Sequence, residues 1–167
     1  KHFTERVKAR GQQKYRGAPH SRRGHASRLQ GGGLLITGDS NPSLIGVSIS
    51  ENTAAEGAGV WINSSSPYFE DVAIFNNNAS STGGGIWMNS GTPYIYDSGI
   101  ANNSATMGGG MYFYNNSNPT LIDVTISEND AQTNGGAIYS MGSNMTLINV
   151  IIDGNNADPE SETNANG

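Results

Sequence analysis

Gly108-Gly-Gly-Met-Tyr-Phe-Tyr114, a polar stretch over Asn115–Asn118, then Pro119-Thr-Leu-Ile-Asp-Val-Thr-Ile-Ser-Glu-Asn129: the reading of this segment decides the fold. It holds two short runs that alternate or stay apolar, with turn formers between them, which is how strands are written. Nothing in it has the period of an amphipathic helix. Leu121 and Val124 are three positions apart where a continuing strand would place inward residues two apart, so the chain must turn a corner between them. The corner residue is Asp123, a type that tolerates left-handed backbone.

The same segment is written five times between Gly31 and Ala157. Glycine clusters open the copies at Gly31, Gly57, Gly83, Gly108 and Gly135, with spacings of 26, 26, 25 and 27. Pro42, Pro67, Pro93 and Pro119 form a second column, whose fifth place is taken by Met145. Asn52, Asn77, Asn103, Asn129 and Asn155 form a third, and Ile49, Ile74, Ile100, Ile126 and Ile152 a fourth. Ala54, Ala79, Ala105, Ala131 and Ala157 close the set. A fixed period of this size means stacked repeat units, each of which buries its apolar side only against its neighbours.

Aligning the copies sorts inward from outward side chains. Leu34, Val60, Ile86, Met111 and Ile138 make one inward column, and Ile36, Ile62, Met88 and Phe113 the next, broken by Ser140. Beyond the proline column lie Leu44, Phe69, Ile95, Leu121 and Leu147, then Val47, Val72, Val124 and Val150 with Ser98 interrupting. Each copy thus buries about five side chains, each contributing roughly 1.5–3 kcal/mol. The Asn column sits between an inward Ile and a small Ala. A buried amide is costly unless paired, so the column reads as a ladder of amides bonded along the stacking axis. Solvent-facing Asn turns are the alternative.

Two architectures carry such a period: a parallel β-helix and a leucine-rich-repeat-like solenoid. Leu121-x-x-Val-x-Ile-x-x-Asn129 does fit the leucine-rich template, but that template wants Leu two residues after the Asn, where this chain has Ala. Its second half is usually helical, whereas here a glycine run leads into aromatic and β-branched residues. The expected fold is therefore all-β, a right-handed single-stranded parallel β-helix of about five coils. At about 4.8 Å per coil it makes a rod on the order of 24 Å long.

Composition divides the chain. All nine Lys and Arg and all three His lie within residues 1–28, so residues 1–30 carry a net +8 and residues 31–167 a net −13. We expect residues 1–30 to be a basic leader, disordered or foreign to the repeats, residues 31–157 to form the β-helix, and residues 158–167 to be a polar tail or truncation point. With no basic residue after Arg28, the repeats are not expected to bind nucleic acid. The absence of Cys excludes disulfides and Cys-ligated metals. No apolar run approaches the ~20 residues of a membrane span, and no apolar stretch of the secretory type follows the basic start.

Gly135-Gly-Ala-Ile138 and Gly83-Gly-Gly-Ile86, with Ile126-Ser-Glu-Asn129 and Ile152-Asp-Gly-Asn155, resemble the G-G-A-[ILV] and F-x-x-N signatures of polymorphic outer-membrane protein repeats, with Ile in place of Phe. The resemblance covers residues 31–157. It implies an extracellular or bacterial cell-surface domain with adhesive or structural roles and further coils in a larger parent protein. The signal and translocator parts of that family are not seen here. β-Helix enzymes, pectin-degrading lyases and polysaccharide hydrolases, supply the alternative: a scaffold fragment of a carbohydrate-active enzyme. The lyases use a basic proton acceptor, which residues 31–167 lack, and no catalytic residue is expected.

Two candidate sites remain. Leu35, Trp61, Trp87, Tyr112 and Tyr139 alternate with the inward column, and Trp is too large for a narrow interior, so these side chains are expected to face outward in a row. With Asn63, Asn89 and Tyr114 beside them, they could form a platform for a polysaccharide or a cell-surface glycan. An ordinary cross-coil ladder, contributing roughly 0.5–1.5 kcal/mol per ring pair, is the competing reading. Asp71, Asp97 and Asp123 repeat at the corner and could gather a hard cation such as calcium, or simply be solvated turn residues. No other cofactor is expected.

Overall fold

The structure, a computed structural model, describes residues 30–158 together with the backbone of Arg6–Val7 and Lys14–Tyr15. It is an all-β solenoid of five stacked coils, with every strand pair parallel. The first sheet follows the glycine clusters and stacks Leu34–Thr37, Val60–Asn63, Ile86–Gly91, Met111–Ser117 and Ile138–Met141. The second follows the proline column. In the first two coils it is a single strand carried through the corner, Ser43–Ser50 and Tyr68–Phe75. In the later coils the corner divides it, as in Tyr94–Tyr96 and Gly99–Ala101.

The third sheet, Thr53–Glu56, Asn78–Thr82, Ser104–Met107, Asp130–Asn134 and Asn156–Ala157, adds a side to the two-strand coil expected from the sequence. Most of its residues are small or polar, and its one repeated apolar position is Ala, so no shared apolar alternation announces it. Its Ala column turns inward: Ala79, Ala105 and Ala131 are buried, as is Thr82 at the end of its strand.

Register between coils is set by the repeat. Ile49, Ile74, Ile100, Ile126 and Ile152 pair in one continuous spine, and Leu44, Phe69, Ile95, Leu121 and Leu147 in another. The core runs along the axis through all inward columns. Where a column is broken by a polar residue, that residue is paired. Ser98 Oγ donates to the Tyr96 carbonyl and accepts from the Val72 N–H.

Two backbone devices make the coil close. Asp71, Asp97, Asp123 and Asn149 at the corner all have φ between 44° and 55°, with Gly46 at 66° in the first coil. That is the left-handed region that Asp, Asn and Gly tolerate best. The inner glycines of each cluster let coils approach: a Cβ on Gly84 would lie 2.4 Å from the Gly109 carbonyl oxygen.

The Asn column forms the expected inward ladder. Asn77 Nδ2 donates to Asn103 Oδ1 at 2.9 Å, and its backbone N–H donates to the same oxygen at 3.1 Å. The arrangement repeats from Asn52 to Asn77, Asn103 to Asn129 and Asn129 to Asn155. From Asn77 onward each amide also donates back to an Ile carbonyl of the preceding coil, as Asn103 does to Ile74. Stacked amides thus satisfy one another where solvent cannot.

Before the first coil, Arg6–Val7 and Lys14–Tyr15 pair in parallel with Ser43–Ser50, opposite Ser43–Leu44 and Ser48–Ile49. The rest of the expected leader, and the tail beyond Asp158, lie outside the described residues.

Candidate functional site

The outer face of the first sheet carries the aromatic column. Trp61 stands between Val60 and Ile62, both fully buried in the core, so alternation points it outward. The register sets Leu35 over Trp61, Trp61 over Trp87, Trp87 over Tyr112 and Tyr112 over Tyr139. Two stacked pairs result: Trp61–Trp87 at 4.8 Å and 3°, and Tyr112–Tyr139 at 5.2 Å and 11°.

Outward does not mean open. Trp61 is 6% exposed and Tyr112 8%, while Trp87 and Tyr139 are half-buried. The rings lie over the glycine four residues earlier: a Cβ on Gly83 would sit 2.8 Å from Trp87 Cβ. They also lie against one another, so much of each face is consumed by the stack. Burial pushes the Tyr112 hydroxyl above its ordinary pKa, with Tyr139, Tyr114 and Glu56 adding to the effect. The accessible ring in this region is Tyr114, 41% exposed.

Beside the rings runs a second line of amides, on the outside of the coil. Asn89 Nδ2 donates to Asn63 Oδ1 at 2.7 Å, and Asn115 Nδ2 to Asn89 Oδ1 at 3.2 Å. Sequence position suggests that Tyr114 should take the third place, and Tyr114 does pair with Asn89 in register. The register then shifts before Ser117, and Asn115 reaches back to continue the line. Asn115 and its neighbour Asn116 both adopt positive φ to do so. Sequence reasoning missed Asn115 although a signal was there: Gly108 to Pro119 spans 11 positions where Gly57 to Pro67 and Gly83 to Pro93 span 10.

It also missed a second aromatic group, on the outer face of the second sheet. Tyr68 and Tyr94, each following a column proline, stack at 5.6 Å and 13°. The Tyr68 hydroxyl donates to Glu70 Oε2 at 3.0 Å. Burial, followed by that hydrogen bond, raises the Tyr68 pKa. The signal was available: the residues after the four column prolines are Ser43, Tyr68, Tyr94 and Thr120, and Thr146 follows Met145 in the fifth copy.

Asp71, Asp97 and Asp123 recur at the exposed corner in successive coils. Asn149 Nδ2 donates to Asp123 Oδ1, so the column's last step is an amide–carboxylate contact. Among the described residues no group of three or more His, Cys, Asp or Glu side chains gathers closely enough to hold a metal ion. The left-handed backbone accounts for Asp at these positions.

The comparisons with known proteins concern the fold. A family model described as "Right handed beta helix region" matches residues 32–165. No curated protein and no solved structure matches the chain.

Proposed function

This chain belongs to the right-handed β-helix family, and from that premise we propose that it is a non-catalytic, extracellular or cell-surface repeat domain that binds glycans along the outer face of its first sheet. The observation that carries the reading is the adjacency of partly accessible rings and an external amide line. Tyr114 is exposed, Trp87 and Tyr139 are half-buried, and Asn63, Asn89 and Asn115 run beside them. A sugar offers apolar C–H faces and hydroxyls together. An aromatic ring suits the first and a side-chain amide the second.

Each amide has two N–H donors and two acceptor lone pairs. The ladder uses one donor and one acceptor at Asn89, so capacity remains for hydroxyls. The roles differ along the strip. Tyr114, Trp87 and Tyr139 contact the glycan, whereas Trp61 and Tyr112 hold their stacking partners in place. A bacterial outer surface and a larger parent protein are the setting this reading expects.

Binding of the full chain to a panel of neutral and acidic polysaccharides, by array and by titration, tests it. Tyr114→Ala and Asn89→Ala should each weaken the best ligand by about tenfold, or ~1.4 kcal/mol, with the β-sheet circular dichroism unchanged. A folded parent chain that binds no polysaccharide, or binds one equally well in both variants, overturns the reading.

A further inference from the structure

The inward side chains of Ser43–Ser50 are as dry as those in mid-rod, although the second coil covers only one face of this layer. Val47 is 2% exposed and Ile49 0%. In a stack of coils each layer needs a neighbour on both sides to be buried, so the other face has a cover of its own. The inner ladder tells which side it occupies. Asn52 gives its backbone N–H and Nδ2 to Asn77. Its Oδ1 therefore faces away from the second coil, in the place where Asn77, Asn103 and Asn129 each accept from the coil before. That oxygen is buried, as is Ser50 Oγ, and neither has a hydrogen-bond partner.

Two strands lie on that side. Apart from Tyr68–Phe75, Arg6–Val7 and Lys14–Tyr15 are the strands that pair with Ser43–Ser50 among the described residues. Both run parallel to it, as successive coils do, and both stand in register with inward columns: Val7 opposite Leu44 and Tyr15 opposite Ile49. Their spacing is not that of a coil. Arg6 pairs with a residue 37 positions on and Lys14 with one 34 positions on, where the glycine clusters repeat every 25 to 27. The segment follows the direction and the columns of the coils but not their length. Residues 1–30 also contain no Asn, so they cannot supply the next amide of the ladder, and the Asn52 acceptor is left over.

We propose that the basic segment carrying Arg6–Val7 and Lys14–Tyr15 is a cap, which closes the core of the first coil and occupies the Ser43–Ser50 edge. An unpaired edge of this kind is a template for strands of other chains, and the cap withholds it. Opposite charge adds to the pairing: residues 1–30 carry +8 and residues 31–167 carry −13. Composition also makes the cap separately removable. Every Lys and Arg lies within residues 1–28, so a protease that cuts after basic residues can cut this segment and nothing in the coils. Trimming then turns a closed first coil into an apolar layer with an open strand edge.

Hydrogen exchange of the full chain, read strand by strand before and after trypsin treatment, tests this. In the intact chain the Ser43–Ser50 amides should be protected to within about tenfold of those in Tyr68–Phe75. Trimming should lower their protection by about a hundredfold, while Thr125–Ser127 in the fourth coil keeps its own. Tyr15→Asp should give the same selective loss with the chain uncut. Gln12→Asp, which adds the same charge between the paired positions, should not. Should trimming unfold the whole rod, these two variants decide. Ser43–Ser50 amides that exchange freely in the intact chain, stay protected after trimming, or respond equally to both variants overturn the proposal.

Discussion

Ile100 and Ile152 hold the same place in the third and fifth coils, on the same spine and with the same strand partners above them. One is 1% exposed and the other 50%. Nothing in the residue or its local backbone distinguishes them; only the coil that follows does. In a globule a side chain is buried by the fold as a whole, but here burial is supplied by two neighbours, one on each side. The central coils have both. The fifth has one, and its inward Leu147 and Ile152 remain exposed where Leu121 and Ile126 are fully buried. Stability in this molecule is therefore a property of interfaces between coils, and equivalent substitutions along the rod should separate the two regions.

The largest separation is expected in the inner ladder. Asn103→Ala removes the shared acceptor of the Asn77 backbone N–H and Nδ2, and the donor to the Ile74 carbonyl. With each stranded buried group costing about 1–3 kcal/mol, the loss should reach ~3–5 kcal/mol in urea unfolding. Asn155→Ala, at the open end where water can substitute, should cost ~1 kcal/mol. Equal losses at the two positions would mean that the end coil is covered in solution.

The spine should show the same contrast on a smaller scale. Ile100→Ala is expected to cost about 2–5 kcal/mol, because stacked coils cannot collapse onto the cavity without losing register. Ile152→Ala should cost ~1 kcal/mol or less, since half of its surface is wet already. Native-state hydrogen exchange gives the graded form of the comparison. Amides of the strands around Ile74, Ile100 and Ile126 should be the most protected, and those of Ile151–Asp153 the least. Uniform protection along the rod would break the nearest-neighbour picture.

Much of the architecture was legible in the sequence because each inward column repeats one residue type at one spacing. The Ile and Asn columns could be read as a spine and a ladder before any strand was paired. The third sheet was not legible, because strands such as Asn78-Ala-Ser-Ser-Thr82 and Asp130-Ala-Gln-Thr-Asn134 carry no apolar alternation. The candidate site was legible in part. That Trp61 and Trp87 share an outer column follows from alternation, but their unequal exposure depends on what lies above and below each ring. The continuation of the outer amide line by Asn115 depends on a register shift after Tyr114; the sequence shows one extra residue between Gly108 and Pro119 but not where it falls. Columns repeat and can be read; their exceptions must be seen.

The smallest effect concerns how far the shelter of one coil extends into the next. Tyr112 in the fourth coil is stacked on Tyr139 in the fifth, and burial, then Tyr139, raises its pKa above the ordinary value of 10.0. A raised value means that the fold favours the neutral hydroxyl. Tyr112 should therefore add stability that is fully present below about pH 10 and is lost as pH climbs through its folded pKa. In an alkaline absorbance titration it should ionise after a free tyrosine, and Tyr112→Phe should reduce the late step to the part that Tyr68 contributes. Tyr139→Ala is the sharper variant, because it strips the cover supplied by the end coil and leaves Tyr112 intact. If the fifth coil is what keeps the fourth dry, Tyr112 should then titrate earlier, toward 10.0. If the late step stays where it was, the shelter comes from the fourth coil itself, and the influence of an open end stops at the last layer.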